Sequence, residues 1–197
     1  KNNSRLFVVQ YGATYGTCLF NLAEIHINQV CDKYLVWGWE EENLKKYKNI
    51  SIPFINRKEK YSLLNKKNVL IVCHTLVQTP YLSTMHPNVI FAQKKDIYDK
   101  KIRDLIVRMG LLKRIEKLFR FYPGEKENCT ELSSFLLENN FNFSEETTFS
   151  EVLKKTYIAI FTYDSTGFLE AMAKDIPSLF LQYDEINPIR KNRIKYF

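Results

Sequence analysis

From residue 69 onward, short apolar runs rich in β-branched and aromatic residues alternate with stretches of about ten residues whose apolar side chains recur at helical spacing. This alternation constrains the fold more than any other feature of the chain. Val69–Cys73 is a continuous apolar run, as expected of a strand covered on both faces. Ile102, Leu105, Ile106, Met109 and Leu112 fall on one face of a helix over 101–112. Leu118–Tyr122 reads as a strand stopped by Pro123-Gly124, and Thr130–Glu138 as a helix. Thr148 followed by Glu151 is a capping-box pattern, and the helix it opens runs to about Lys155. Tyr157–Phe161 is the next strand, Thr166–Lys174 the next helix and Ser178–Leu181 the strand after it. Strands alternating with helices imply a parallel sheet with helices on both faces, so the expected class is α/β, a doubly wound parallel sheet.

The first sixty residues are less regular. Leu6–Val9 and Tyr34–Trp37 read as short strands, a helix is expected over about 19–30, and Ile50–Phe54 is extended. The polar, basic stretch Asn56–Lys67 is the best internal boundary, which divides the chain into 1–60 and 61–197. The chain opens on Lys rather than Met, and we expect it to be a piece of a longer polypeptide.

Composition narrows the classes. With 45% hydrophobic and 26% charged residues the chain can bury a core, which argues against disorder. Its apolar runs are far shorter than the roughly 20 residues a membrane-spanning helix needs. The four cysteines stand far apart with no C-x-x-C pair. Neither a zinc site nor a disulfide framework is expected, and reduced thiols in a cytoplasmic protein are the simpler reading. The net charge is +7, and residues 94–120 alone carry +6. A basic face of that kind attracts anions: nucleotide phosphates, lipid headgroups or nucleic acid. The alternative is a solvated helix surface. No nucleic-acid-binding motif accompanies it, so nucleic acid is not an expected partner.

Ligands of open parallel sheets bind at the carboxyl ends of the strands. The sharpest such end is Asp164-Ser165-Thr166-Gly167, where a strand runs through hydroxyls and a glycine into a helix. Ser165, Thr166 and the helix N-terminus could hold a phosphate, with Gly167 permitting close backbone approach. Glu170, one turn on, could accept hydrogen bonds from ribose hydroxyls. Ordinary helix capping explains the same residues. Arg120 and His74 stand at two other strand ends and could contact phosphate, or could be structural. Upstream, Gln10, Gly12, Tyr15 and Gly16 form a glycine loop after the first strand, and Glu24 and His26 lie near it as acid/base candidates. Trp37 and Trp39 offer surfaces that could stack on a sugar or pack a core.

The segment Tyr163-Asp164-Ser165-Thr166-Gly167-Phe168-Leu169-Glu170-Ala171-Met172-Ala173-Lys174-Asp175-Ile176-Pro177-Ser178 resembles the donor-site segment of GT-B-fold glycosyltransferases. Three further blocks, Gln10–Gly16, Asp32–Trp39 and Arg120–Pro123, are similar in order to a bacterial family of surface-polysaccharide (O-antigen gene cluster) transferases. Tyr11 stands where that family's pattern has His. The resemblance implies a Rossmann-like, donor-binding C-terminal half of a two-domain enzyme. Residues 61–197 would be the nucleotide-sugar-binding domain, and 1–60 the end of the N-terminal half or an inter-domain segment.

The implied activity is transfer of a sugar from a nucleotide-activated donor to a surface polysaccharide or lipopolysaccharide, with a lipid-linked or oligosaccharide acceptor. No metal or other cofactor is implied. The expected location is the cytoplasm, with peripheral contact at an anionic inner-membrane face through the basic segment. Ser165, Thr166, Gly167, Glu170, Arg120, His74, Gln10, Gly12, Tyr15 and Gly16 are the expected donor-binding residues. Glu24 and His26 are the catalytic candidates. The rival readings are a polyol-phosphate transferase of related fold and a non-catalytic α/β binding module.

Overall fold

The computed structural model describes residues 4–19, 21–39, 45–52, 60–64, 66, 68–74, 94–112, 114–121, 130–185 and 188–192. Along the chain these form β1 (Phe7–Val9), α1 (Leu22–Val30), β2 (Lys33–Trp37), β3 (Tyr47–Ile50), β4 (Asn68–Val72), α2 (Lys95–Gly110), β5 (Glu116–Arg120), α3 (Thr130–Glu138), β6 (Phe141–Phe143), α4 (Phe149–Lys155), β7 (Thr156–Phe161), α5 (Thr166–Ala173) and β8 (Ser178–Phe180). They make two sheets, β1-β2-β3 and β6-β5-β4-β7-β8. Every strand pair within them is parallel. The expected doubly wound α/β architecture is therefore what the chain adopts.

The five-stranded sheet is doubly wound because β4 is apolar on both sides. Val69 and Ile71 pack with Tyr98, Ile102, Ile106 and Met109 of α2 and with Leu132 and Leu136 of α3. Leu70 and Val72 face the other way, onto Val152 and Leu153 of α4 and Phe168 and Ala171 of α5. Each fully buried Ile or Leu contributes about 1.5–3 kcal/mol of hydrophobic stabilisation, so a strand apolar on both faces is stable only at the centre of such a sandwich. The order β6-β5-β4-β7-β8 then has a consequence for function. The chain leaves β4 toward β5 and β6 on one side and returns to β7 and β8 on the other. The switch point lies between β4 and β7, the kind of place where open parallel sheets bind ligands.

Several boundaries differ from the sequence expectation, each for a physical reason. β5 starts at Glu116 and ends at Arg120, two residues before the expected limits; Tyr122 and Pro123-Gly124 lie outside the described residues. The charged start hid it: Lys117 is buried, its ammonium donating to Leu112 O (3.2 Å). α2 begins at Lys95 rather than 101, because the polar-looking first turns carry Tyr98 into the core. β6 was not expected at all. It has three residues and follows a helix stop at Asn140, whose positive φ of 62° closes α3. Among the described residues the extended structure here is Tyr47–Ile50, with Tyr47 packed against Tyr34 and Trp39; of the expected 50–54, Pro53 and Phe54 lie outside the described residues. The cap at Thr148 forms as expected, its hydroxyl accepting from Glu151 N–H (3.3 Å).

The three-stranded sheet has its own small core of Tyr15, Tyr34, Val36 and Trp39, covered by Ala23 and Ile27 of α1. Gly16 sits in its loop at φ +78°, and a Cβ there would meet the Trp39 indole at 2.1 Å. Glycine is required on both counts. The second sheet is tied to this one by polar contacts. Cys18 Sγ donates to Asp164 Oδ2 (3.3 Å), and the Thr17 hydroxyl shares its one proton between Ala13 O (2.8 Å) and Asp164 Oδ2 (3.1 Å). Cys18 also forms a strand-like bridge to Ile189, and Arg190 N–H donates to Thr17 O (2.9 Å).

Candidate functional site

A cleft opens where the carboxyl ends of β1, β2 and β7 face one another. It is lined by Gln10, Tyr15 and Thr17 from the first loop, Trp37–Trp39 from the end of β2, and Asp164, Ser165, Phe168 and Leu169 at the start of α5. Both sheets contribute the carboxyl ends of their strands to it.

Gln10 builds the upper wall. Its amide donates to Gly12 O (2.9 Å) and Tyr15 O (3.3 Å), while Oε1 accepts from Trp37 N–H and Trp39 Nε1–H, both at 2.9 Å. One buried side chain thus fixes the glycine loop to the tryptophan strand end. Gly16 N–H donates to Glu24 Oε2 (2.9 Å), and Arg190 makes an ion pair with the same oxygen (2.9 Å). Glu24 is wholly buried, behind the loop rather than in the cleft. His26, two positions on, is exposed on α1. The structure therefore does not bring Glu24 and His26 together, as their spacing on one helix already suggested.

The lower wall is the N-terminus of α5. Ser165 is its N-cap by backbone conformation, yet its side chain makes no capping bond. Its Oγ is buried and hydrogen-bonds to none of the described residues. A hydroxyl in that state, beside the positive end of a helix and on the wall of a cleft, is available to a ligand. At Gly167 a Cβ would lie 2.9 Å from the Phe149 ring, so packing beneath α5 asks for glycine there. Glu170 is half-buried and not among the cleft-lining residues. Burial pushes its carboxyl up, and the nearby Lys174 partly offsets this.

His74 follows β4 at the switch point. Its backbone N–H donates to Tyr98 Oη (2.9 Å), and its ring stands edge-on to Tyr163. Arg120, at the end of β5, is buried and donates to two loop carbonyls, Glu146 O (2.7 Å) and Thr147 O (3.3 Å). It holds the loop ahead of α4, and burial lowers its pKa. Sequence reading missed three contributors. Asp164 was visible only as a neighbour of Ser-Thr-Gly. Thr17 and Arg190 had no signal, because their partners lie 147 and 166 residues away.

The loop that Arg120 holds has a pH signature. Lys155 (2.7 Å) and Ser144 (2.7 Å) donate to the Glu146 carboxylate, whose pKa is held down to about 2 from an ordinary 4.5. A depressed carboxyl pKa contributes stability above the unfolded value and loses it as pH falls through the folded one. The melting temperature should therefore fall between about pH 4.5 and 2. Glu146→Gln should lower it modestly at pH 7, with a flatter slope over that window. Lys155 is well exposed, so high salt should shrink the difference. An unchanged slope in the variant would remove Glu146 as its source.

Comparison with known proteins bears on this geometry. No curated protein matches the chain in sequence. Among solved structures, the crystal structure of TarM is similar over 92% of this chain with a TM-score of 0.53. Identity is 14%, so the likeness is one of fold. The chain spans 38% of TarM's length. The model of the LIC12162 family transferases matches residues 1–197, the whole sequence, and the chain belongs to that family of transferases.

Proposed function

We propose that this chain carries the donor site of a GT-B-type, metal-independent glycosyltransferase that moves a sugar from a nucleotide-activated donor to a surface-glycan acceptor. Membership of a transferase family and a fold like that of TarM support transfer chemistry in general. The observation that carries the donor assignment is the uncommitted, buried Ser165 Oγ on the cleft wall at the α5 N-terminus. The donor's phosphates lie against Ser165, Thr166 and the first-turn N–H groups of α5. The aromatic wall of Trp37, Trp39 and Phe168 suits a sugar or base ring. Glu170 takes the ribose or sugar hydroxyls, and Arg120 acts by holding the neighbouring loop. Glu24, through Gly16 and Arg190, shapes the cleft.

Peripheral membrane contact also belongs to this reading, confined to the end of α2. No described helix is long and apolar enough to cross a membrane. Lys101, Arg103 and Lys117 are engaged within the molecule. Exposed Val107, Leu111 and Leu112 stand beside exposed Arg108 and Arg114, a mixture suited to an anionic lipid surface. Co-sedimentation with anionic but not zwitterionic vesicles is the expected behaviour, and equal partitioning to both would argue against it.

A nucleoside diphosphate panel tests the donor site. A bound nucleotide should raise the melting temperature, by the equivalent of about 2.7 kcal/mol at a hundredfold excess over Kd. Ser165→Ala should weaken binding by about 1.5–3 kcal/mol, the range for a hydrogen bond to a charged group. It should leave the melting temperature unchanged, since no cap bond is lost. Glu170→Gln should weaken binding by about 1–3 kcal/mol while the melting temperature holds or rises, because burial already penalises its charge. Loss of stability without loss of affinity in these two variants would reduce both residues to ordinary helix chemistry.

A further inference from the structure

The switch point between β4 and β7 is crossed by a chain of side-chain hydrogen bonds. Tyr98 reaches in from α2 and is fully buried, as is Thr162 at the end of β7. His74 N–H donates to Tyr98 Oη (2.9 Å), Tyr98 and Thr162 share a hydrogen bond of 2.6 Å, and Thr162 Oγ1 donates to Val72 O (3.0 Å). A threonine hydroxyl has one proton. With that proton on Val72 O, the Tyr98 hydroxyl is the donor to Thr162. The direction is then complete: His74 N–H to Tyr98, Tyr98 O–H to Thr162, Thr162 O–H to the β4 carbonyl. Each hydroxyl in it both donates and accepts. Burial pushes the Tyr98 phenol well above its ordinary pKa, so it stays a neutral donor over the working range of pH.

We propose that Tyr98 is a positioning residue for the donor site, setting the separation between the His74 backbone and the Asp164–Ser165 loop across the switch point. Two features of the fold make this a specific task. The helices that follow β4 and β7, α2 and α5, pack on opposite faces of the sheet, and among the described residues Thr162 N–H to Val72 O is the last backbone bond between the two strands. Thr162 is also two residues before Asp164 and three before Ser165, so a shift at Thr162 moves the α5 N-terminus directly. Phenylalanine at 98 would fill the same space in the core and leave the His74 N–H and the Thr162 hydroxyl short of one partner each. The inference rests on the donor-site reading above for its functional half. Its structural half stands apart from it.

The experiment uses the whole chain with two readouts. Amide hydrogen exchange follows the His74 and Thr162 N–H groups, and nucleoside diphosphate titration follows affinity. In Tyr98→Phe the His74 amide should exchange at least tenfold faster, while those of Leu70 and Ile71 keep their protection. Nucleotide affinity should fall about tenfold or more. Thr162→Val should reproduce that loss, and Thr162→Ser, which keeps the hydroxyl, should stay within about threefold of wild type. The double variant Tyr98→Phe/Thr162→Val should lose no more than either single one, since both break one chain of bonds. Wild-type His74 exchange in Tyr98→Phe overturns the relay. Faster exchange with undiminished nucleotide affinity overturns its positioning role. Failure of every nucleoside diphosphate to bind the wild type contradicts the donor reading and with it that role, while the exchange result still decides the relay.

Discussion

The pairing of Val69–Val72 with Ile158–Phe161 is the interaction on which the rest depends. β4 is apolar on both faces and lies at the centre of its sheet, so it recruits α2 and α3 to one side and α4 and α5 to the other. Because β5 lies on its other edge, the β4–β7 pair marks the point where the winding reverses. His74 follows the carboxyl end of one of these strands, and Asp164, Ser165 and α5 follow that of the other. A parallel ladder brings strand ends to the same level, which is why residues 90 positions apart in sequence share one hydrogen-bonded network.

A second, polar seam completes the cleft. Asp164 accepts from Thr17 and Cys18, and Arg190 joins Glu24 with the carbonyl of Cys18. The buried Glu24 carboxylate is compensated by a guanidinium and a backbone N–H. Removing Arg190 alone would leave that charge buried and unpaired, a costlier change than losing the pair entire. The seam lets the small sheet present its loop and its two tryptophans to the α5 N-terminus. Neither sheet alone has both walls.

Much of the fold was legible in the sequence because its signal is local. Val69–Cys73, Tyr157–Phe161, the Thr130–Glu138 helix and the Thr148 cap each announce themselves within a few residues, and the structure has them at or within a residue of the expected place. β6 and the start of β5 were hidden because a three-residue strand has no period to detect, and a buried lysine looks like surface. The site was legible in its parts and not in its assembly. Ser165 and Gln10 stood out as strand-end residues, but that they share one cleft depends on tertiary contacts spanning over 140 positions. Gly167 reads in the sequence as a point of close backbone approach; that the Phe149 ring also packs against it depends on tertiary structure. Glu24 was noticed as a carboxylate near a glycine loop; nothing local could reveal that Arg190 would pair with it.

The central claim is that the two sheets jointly hold a nucleotide at the α5 N-terminus. Titrating the isotopically labelled chain with a nucleoside diphosphate, and following its backbone amide resonances, tests this most directly. The account predicts the largest shifts at Ser165–Phe168, Gln10–Thr17 and Gly38–Trp39, with smaller ones at His74 and Thr162. Shifts confined to the exposed basic residues of α2, such as Lys100 and Arg108, would contradict it, because the nucleotide would then be meeting a charged surface and not a site.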